Sequence, residues 1–170
     1  MFASFIREGS SPMNKLKIYL ETTLFNYYFD TDRDAHPDTV KLFTEIAEGK
    51  YEAFTSSAAT DELENAPVEK MNKMLALLNE YPIKTLRVGE TENALADIYV
   101  AEGIIPKKYL TDGVHIAVAA IHGLDVVVSM NFKHIVRMQT ESMVNEINIA
   151  KGYHTIKIVS PMGIVEHEDA

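Results

Sequence analysis

The stretch TDGVHIAVAAIHGLDVVVS, residues 111–129, predicts a buried helix followed by a buried strand. Apolar side chains lie on most sides of a helix over residues 111–122, and Gly123 ends that helix. LDVVVS, residues 124–129, is short and rich in β-branched residues, as central strands of parallel sheets are. A buried helix that leads directly into such a strand is typical of an α/β domain.

Further strands and helices alternate on both sides of this unit. Short apolar runs predict four more strands, at 16–20, 53–55, 83–88 and 155–159, with 83–88 on an edge of the sheet. Helical periodicity with its start and stop signals predicts helices at 38–48, 57–64, 68–81, 91–103 and 140–150. The sequence therefore predicts five strands with helices between them.

Length and composition indicate one globular domain. The chain has 170 residues, of which 46% are hydrophobic, and it contains no cysteine. Disulfides, thiolate metal sites and cysteine nucleophiles are therefore excluded, and a reducing, cytoplasmic location is expected. Residues 1–14 are interpreted as a loose N-terminal leader and residues 15–170 as the domain. No run approaches the roughly 20 apolar residues of a membrane span, so no membrane partner is expected.

The formal net charge of −9 argues against broad, nonspecific attraction to nucleic acid. It leaves room for a small acidic site that reaches phosphate groups through a bound cation. The sequence has no glycine-rich phosphate-binding loop and no serine hydrolase elbow, which disfavours those classes of enzyme.

Acidic and amide side chains follow several of the predicted strands. Glu21 comes directly after the first strand, and Glu62 lies seven residues after the second. Asp112 opens the buried helix, and Asn131 lies two residues beyond the strand that follows it. Open α/β sheets place their sites outside the carboxyl ends of the strands. Oxygen ligands of this kind favour Mg²⁺ or Mn²⁺ over zinc.

Each of these residues also has a structural explanation. Asp112 in a first helical turn is stabilised by the helix dipole without a metal. Glu62 can pair with Lys70 or Lys73. His115, one turn after Asp112, is expected to pack with a ring nitrogen hydrogen-bonded nearby, and metal ligation is the alternative. From spacing alone a converging site is proposed but not established.

Two further groups have a possible role in RNA binding. One is a small basic cluster just past Asn131, which either contacts phosphate or is an ordinary solvated helix start: Lys133, His134 and Arg137. The other is an aromatic run that either stacks on bases or belongs to the core or a dimer surface: Tyr27, Tyr28 and Phe29.

Four segments resemble, in order and spacing, the motifs of PIN-domain proteins, which include the VapC-type toxins of bacterial toxin–antitoxin pairs. They are IYLETT (18–23), TSSAATDEL (55–63), LTDGVHIAVA (110–119) and VVVSMNFKHI (126–135). The resemblance extends over residues 16–165, including GYHTIKIVSP (152–161). No single motif is very specific, but four in the right order are a strong signal.

The resemblance implies a set of catalytic and metal-binding residues. Glu21 stands at the first acidic position, which is aspartate in most of the family, and Glu62 and Asp112 match the second and third. Asn131 stands where many members have a fourth aspartate, which should weaken a second cation more than the first. The supporting hydroxyls are those of Thr23 and Ser129.

The resemblance also implies the fold and the activity. The expected fold is a three-layer α/β/α PIN-like domain with a parallel five-stranded sheet in the order 3-2-1-4-5. The expected activity is Mg²⁺- or Mn²⁺-dependent endoribonuclease cleavage of RNA, as a toxin restrained by a small antitoxin, and the expected assembly is a homodimer. A catalytically weak or inactive PIN-fold protein that binds RNA or a protein is the main alternative. An unrelated α/β phosphohydrolase or receiver domain is disfavoured because Glu21 replaces aspartate.

Overall fold

A computed structural model describes residues 15–168, and the predicted leader, residues 1–14, lies outside this range. The chain forms one five-stranded sheet in the order β3-β2-β1-β4-β5, in which every pairing is parallel. The strands are β1 (Leu16–Leu20), β2 (Tyr51–Ser56), β3 (Ile83–Leu86), β4 (Val126–Val128) and β5 (Lys157–Val159). The predicted strand count, strand order and edge position of β3 are confirmed.

Seven α-helices connect the strands within the described range. They are α1 (Thr23–Tyr27), α2 (His36–Ala47), α3 (Ser57–Leu63), α4 (Val68–Glu80), α5 (Glu90–Ala101), α6 (Leu110–Ile121) and α7 (Met138–Ala150). Short 3₁₀ turns occur at Lys107–Tyr109 and Pro161–Gly163. None of the helices described between residues 15 and 168 has the length and apolar character that a membrane crossing requires.

Alternate residues of β1 supply two separate cores, one on each face of the sheet. Ile18 and Leu20 pack with α1, α2 and α4, whereas Tyr19 packs with α5, α6 and α7. This is the three-layer arrangement that an alternating α/β pattern predicts. Residues 113–120 of α6 are all buried, as expected from the apolar character of that helix on most sides.

Most element boundaries differ from the prediction by a few residues, and two differences, the end of β3 and the presence of α1, have an identifiable reason. Strand β3 ends at Leu86 rather than at Val88, because the backbone N–H of Val88 donates to Ser57 Oγ at the start of α3 (3.0 Å). Helix α1 was not predicted. Its N-cap residue, Thr22, makes no side-chain capping bond, since its hydroxyl donates to Glu62 instead.

Candidate metal centre

The parallel sheet brings the carboxyl ends of β1, β2 and β4 to one edge. The backbone N–H of Glu21 donates to Val128 O (3.1 Å), so this residue is still held against β4 after β1 has ended. Thr55 Oγ1 donates to Leu20 O (2.8 Å) and fixes β2 against the same point. The backbone of Glu21 therefore lies between two neighbouring strands.

Two hydroxyl groups orient the carboxylate of Glu21, which is only 3% exposed. Glu21 Oε1 accepts from Thr23 Oγ1 (2.5 Å) and from Ser129 Oγ (2.6 Å). Thr23 Oγ1 accepts in turn from the backbone N–H of Met130, and Ser129 Oγ from that of Asn131 (both 2.9 Å). The two hydroxyls assigned a supporting role thus contact Glu21 directly.

The second oxygen of Glu21, Oε2, receives no hydrogen bond from any residue between 15 and 168. Burial raises the pKa of the Glu21 carboxyl, against the opposing effects of the His115 charge and the Ser129 and Thr23 hydroxyls. A buried carboxylate oxygen without a donor is costly unless another group satisfies it. A bound cation is one such group.

Glu62 accepts two hydrogen bonds on Oε1, from Thr22 Oγ1 (2.6 Å) and from His115 Nε2 (2.7 Å). Its side chain is 40% exposed, so it lies at the boundary between the core and solvent. Burial raises the pKa of Glu62, but the His115 hydrogen bond and charge, together with the Thr22 hydroxyl, bring it below its ordinary value. The partner of Glu62 is therefore His115 rather than Lys70 or Lys73.

His115 is fully buried, and both of its ring nitrogens are hydrogen-bonded, as the packing interpretation predicted. Nδ1 lies 2.5 Å from the hydroxyl of Tyr19, which lies 2.7 Å from Ser56 Oγ. Burial lowers the pKa of His115, but the hydrogen bond to Glu62 and the charges of Glu21, Glu62 and Asp112 raise it overall. A polar chain from Ser56 through Tyr19 and His115 to Glu62 thus runs from the core to the site.

Glu21, Glu62 and His115 form the candidate metal centre. Each offers one ligand atom, and these atoms all lie within 4.8 Å of one another. Asp112 is not a member of this group, and its Oδ2 lies 3.0 Å from Nδ1 of His134 instead. It lies one helical turn before His115, with its side chain 13% exposed. The structure thus brings two of the three predicted ligands together, with an imidazole beside them.

In the segment after β4, the polar side chains of Asn131 and His134 form hydrogen bonds to other residues of the chain. Asn131 Oδ1 accepts from the backbone N–H of His134 (3.0 Å) and closes a turn. The His134 ring is mostly buried, and its centroid lies 4.2 Å from that of the Tyr109 ring, with the two planes tilted by 36°. Of the predicted basic cluster, Lys133 and Arg137 are exposed.

Sequence reasoning missed Tyr19, Thr22 and Ser56. Tyr19 lies among apolar neighbours in β1, and a buried tyrosine hydroxyl needs a polar partner, which was an available signal. Thr22 and Ser56 have no such signal, since a hydroxyl residue next to a strand end is common and usually caps a helix.

Comparison with solved structures shows that the chain has the VapC-like PIN-domain fold. The structure of VapC20 from Mycobacterium tuberculosis, a Sarcin-Ricin loop cleaving toxin, matches with a TM-score of 0.56 and 12% sequence identity, covering 82% of this chain and 98% of that one. VapBC2 from Rickettsia felis, solved bound to a DNA fragment from their promoter, matches with a TM-score of 0.53 and 13% identity, covering 85% and 98%. No protein-family model and no curated protein sequence matches the chain.

Proposed function

We propose that the chain is a divalent-metal-dependent endoribonuclease that hydrolyses RNA phosphodiester bonds. The observation that carries the proposal is the convergence of Glu21, Glu62 and His115 at the carboxyl edge of the sheet. The fold supports it, because VapC20, which shares that fold, is a toxin that cleaves the Sarcin-Ricin loop.

The residues present fit a divalent cation. The orphaned Oε2 of buried Glu21 and the half-exposed carboxylate of Glu62 are oxygen donors that suit Mg²⁺ or Mn²⁺. Asp112 is the third predicted ligand and would have to exchange its His134 partner for the cation. Both ring nitrogens of His115 are already hydrogen-bonded, to Glu62 and to Tyr19, so its imidazole positions Glu62 and leaves the carboxylate oxygens to hold the cation.

The chain's own residues divide the work of hydrolysis. Glu21 is held in one orientation by two hydroxyls, so its geometry is fixed before substrate binds. Glu62 is open to solvent and can accept the proton of an attacking water. His115 orients Glu62 through Nε2, while Tyr19 fixes the ring through Nδ1. A bound cation would lower the pKa of the water and stabilise charge on the phosphoryl oxygens.

Cleavage of single-stranded RNA with Mn²⁺, with Mg²⁺ and with a chelator tests this proposal. We expect cleavage with either cation, none with the chelator, and at least about a hundredfold loss in Glu62→Gln and Asp112→Asn, since each removes a charge from the site. Glu64→Gln is the matched control, because Glu64 is an exposed glutamate two residues from Glu62. Undiminished cleavage by both Glu62→Gln and Asp112→Asn would rule out the site.

The physiological role we propose is that of a toxin restrained by a small antitoxin. Support comes from the fold shared with VapC20 and VapBC2. Expression of the wild-type chain should slow growth, expression of Glu62→Gln should not, and a short neighbouring reading frame should relieve the effect when co-expressed. Equal toxicity of the two chains would argue against catalysis as its cause. We also propose a homodimer, to be checked by light scattering.

The second candidate is a PIN-fold protein that binds RNA or a protein without turnover. The hydrogen bonding of the site favours it specifically. Glu62 and Asp112 are each paired with a histidine, and the Asn131 amide oxygen closes a turn. Binding of RNA without cleavage under any cation would establish this alternative.

A further inference from the structure

We propose that a pocket beside the candidate metal centre binds one nucleotide of single-stranded RNA, with its base against Phe29 and Tyr27 and its phosphate on Arg33 and Lys70. This inference rests on the proposed function, and it names the path that the substrate takes to the site. The pocket is a cavity of about 560 Å³ between α1, the loop that follows it and α4, within the size range of small-ligand sites.

The pocket and the candidate metal centre share a wall. Thr23, which lines the pocket, donates to Glu21 Oε1 at 2.5 Å. Asn26 and Tyr27 line the same cavity from the following turn of α1, because side chains three and four residues apart share a helix face. A nucleotide in the pocket would therefore be adjacent to a phosphate held by a cation at Glu21.

The aromatic run after β1 divides between the core and this pocket. Tyr28 belongs to the core side, because its hydroxyl lies 2.8 Å from that of Tyr81 and its ring packs 4.9 Å from Phe43. Tyr27 and Phe29 line the pocket instead, and Phe29 is 39% exposed. An exposed phenylalanine beside a polar cavity is well placed to stack on a base.

Arg33 supplies a positioned positive charge in the pocket. Its guanidinium lies 5.1 Å from the Tyr27 ring centroid and donates to Tyr27 Oη (3.0 Å) and Asp30 Oδ2 (2.9 Å). These bonds use Nε and one terminal nitrogen, which leaves the other terminal nitrogen for a phosphate oxygen. Asp30 reduces the net charge of the pocket but holds the guanidinium over the ring.

Lys70 of α4 supplies a second positive charge from the opposite wall. No carboxylate described between residues 15 and 168 forms an ion pair with it. Two cations and two aromatic faces in one small cavity match a nucleotide, which offers one phosphate and one base. This local attraction also reconciles RNA binding with a net charge of −9.

Binding is tested with the full-length Glu62→Gln chain, which holds RNA without cutting it, and a fluorescein-labelled ten-nucleotide single-stranded RNA of mixed sequence. Fluorescence anisotropy should show Kd about tenfold weaker for Phe29→Ala, as expected for the loss of one stacked base. Arg33→Ala and Lys70→Ala should each weaken binding and reduce the slope of log Kd against log salt by about 0.7, the value for one phosphate contact on a single strand.

Lys151→Ala is the matched control, because Lys151 is exposed and follows α7 on the other face of the sheet. Unchanged Kd and salt slope in all three pocket variants would overturn the inference. So would a loss of RNA affinity seen only in Lys133→Ala, because Lys133 lies outside the pocket. If the wild type cleaves RNA and Phe29→Ala, Arg33→Ala and Lys70→Ala, each made in the wild-type chain, have the same KM, the proposed nuclease function stands and the nucleotide subsite is rejected. If the pocket variants bind RNA more weakly but the wild type cleaves no RNA, the nucleotide subsite stands and the proposed nuclease function is rejected.

Discussion

Tyr19 places a phenol hydroxyl in the middle of β1, where its neighbours Ile18 and Leu20 are fully buried. That hydroxyl contacts His115 Nδ1 and Ser56 Oγ, and burial raises the pKa of Tyr19 well above its ordinary value. We expect Tyr19→Phe to lower the free energy of unfolding by about 1–3 kcal/mol, since it leaves two buried polar atoms without their shared partner. Urea denaturation measures this loss.

Tyr81→Phe is the matched control for that prediction. It deletes the same atom, but the Tyr81 hydroxyl contacts only that of Tyr28 among the described residues, and both side chains are half-buried. Water can replace the lost contact there, so we expect a smaller effect. An equal loss in the two variants would contradict a special role for the polar chain that ends at Glu62.

Glu21 should show opposite effects in the absence and presence of a cation. Glu21→Gln removes a buried charge while keeping an oxygen that can accept from Thr23 and Ser129, so the metal-free variant should melt at a higher temperature than the wild type. Added Mn²⁺ should raise the melting temperature of the wild type by mass action and that of the variant much less. Thermal melts with chelator and with Mn²⁺ provide both values.

Two results would contradict the prediction for Glu21. One is a lower melting temperature for Glu21→Gln than for the wild type in chelator, which would mean that the charge is already satisfied within the fold. The other is an equal gain from Mn²⁺ in both chains, which would place the cation elsewhere. Neither readout depends on RNA cleavage.

At the scale of elements, one carboxylate links the start of α5 to the end of α6. Glu92 Oε1 accepts from the Gly89 backbone N–H (3.0 Å), and Glu92 Oε2 lies 2.8 Å from His122 Nε2. Burial raises the pKa of Glu92, but the backbone N–H groups of Glu92 and Gly89 and the His122 contact bring it below its ordinary value of 4.5. The ionised carboxylate of Glu92 is therefore more stable in the folded state than in the unfolded one.

This linkage gives a pH-dependent prediction. Glu92→Gln should lower the free energy of unfolding at pH 7 by about 0.5–2 kcal/mol, the range for a helix cap. Because the folded pKa lies below the unfolded one, the wild-type advantage is complete above the unfolded value and is lost as pH falls through the folded value. Denaturation between pH 7 and pH 3 should therefore show the two chains converging. Glu90→Gln, an exposed first-turn control, should show a smaller difference at pH 7.

The elements that the sequence predicted well are those whose signals are local. Residues 113–120 of helix α6 and all three residues of strand β4 are buried, and Gly123 lies at positive φ between the two elements. Helix α1 escaped prediction because it is five residues long and its N-cap hydroxyl is used by Glu62. That contact joins residues 40 positions apart and leaves no trace in local periodicity.

At the scale of the molecule, the candidate site was only partly predictable. Parallel pairing of β1 with both β2 and β4 follows from the family resemblance and brings the strand ends together. The identity of each side-chain partner does not follow from it. The pairing of Glu62 with His115 and of Asp112 with His134 depends on rotamers that the packed structure selects.

The predicted domain boundary between residues 14 and 15 can be tested by deletion. Both core clusters are built from residues between Ile18 and Val165. We therefore expect a chain lacking residues 1–14 to melt within about 2–4 °C of the full-length protein, which corresponds to about 1 kcal/mol for a domain of this size. A larger decrease in the melting temperature would show that the leader contributes to the fold.

The central position of β1 has a consequence for the timing of protein synthesis. Glu21 leaves the ribosome more than a hundred residues before its hydrogen-bonding partners Val128 and Ser129. A nascent chain therefore lacks an assembled centre until β4 and Ser129 have been synthesised. Ribosome-bound chains stalled before residue 126 should leave Glu21 in solvent, so a nuclease of this design would stay inactive until β4 has emerged and paired with β1.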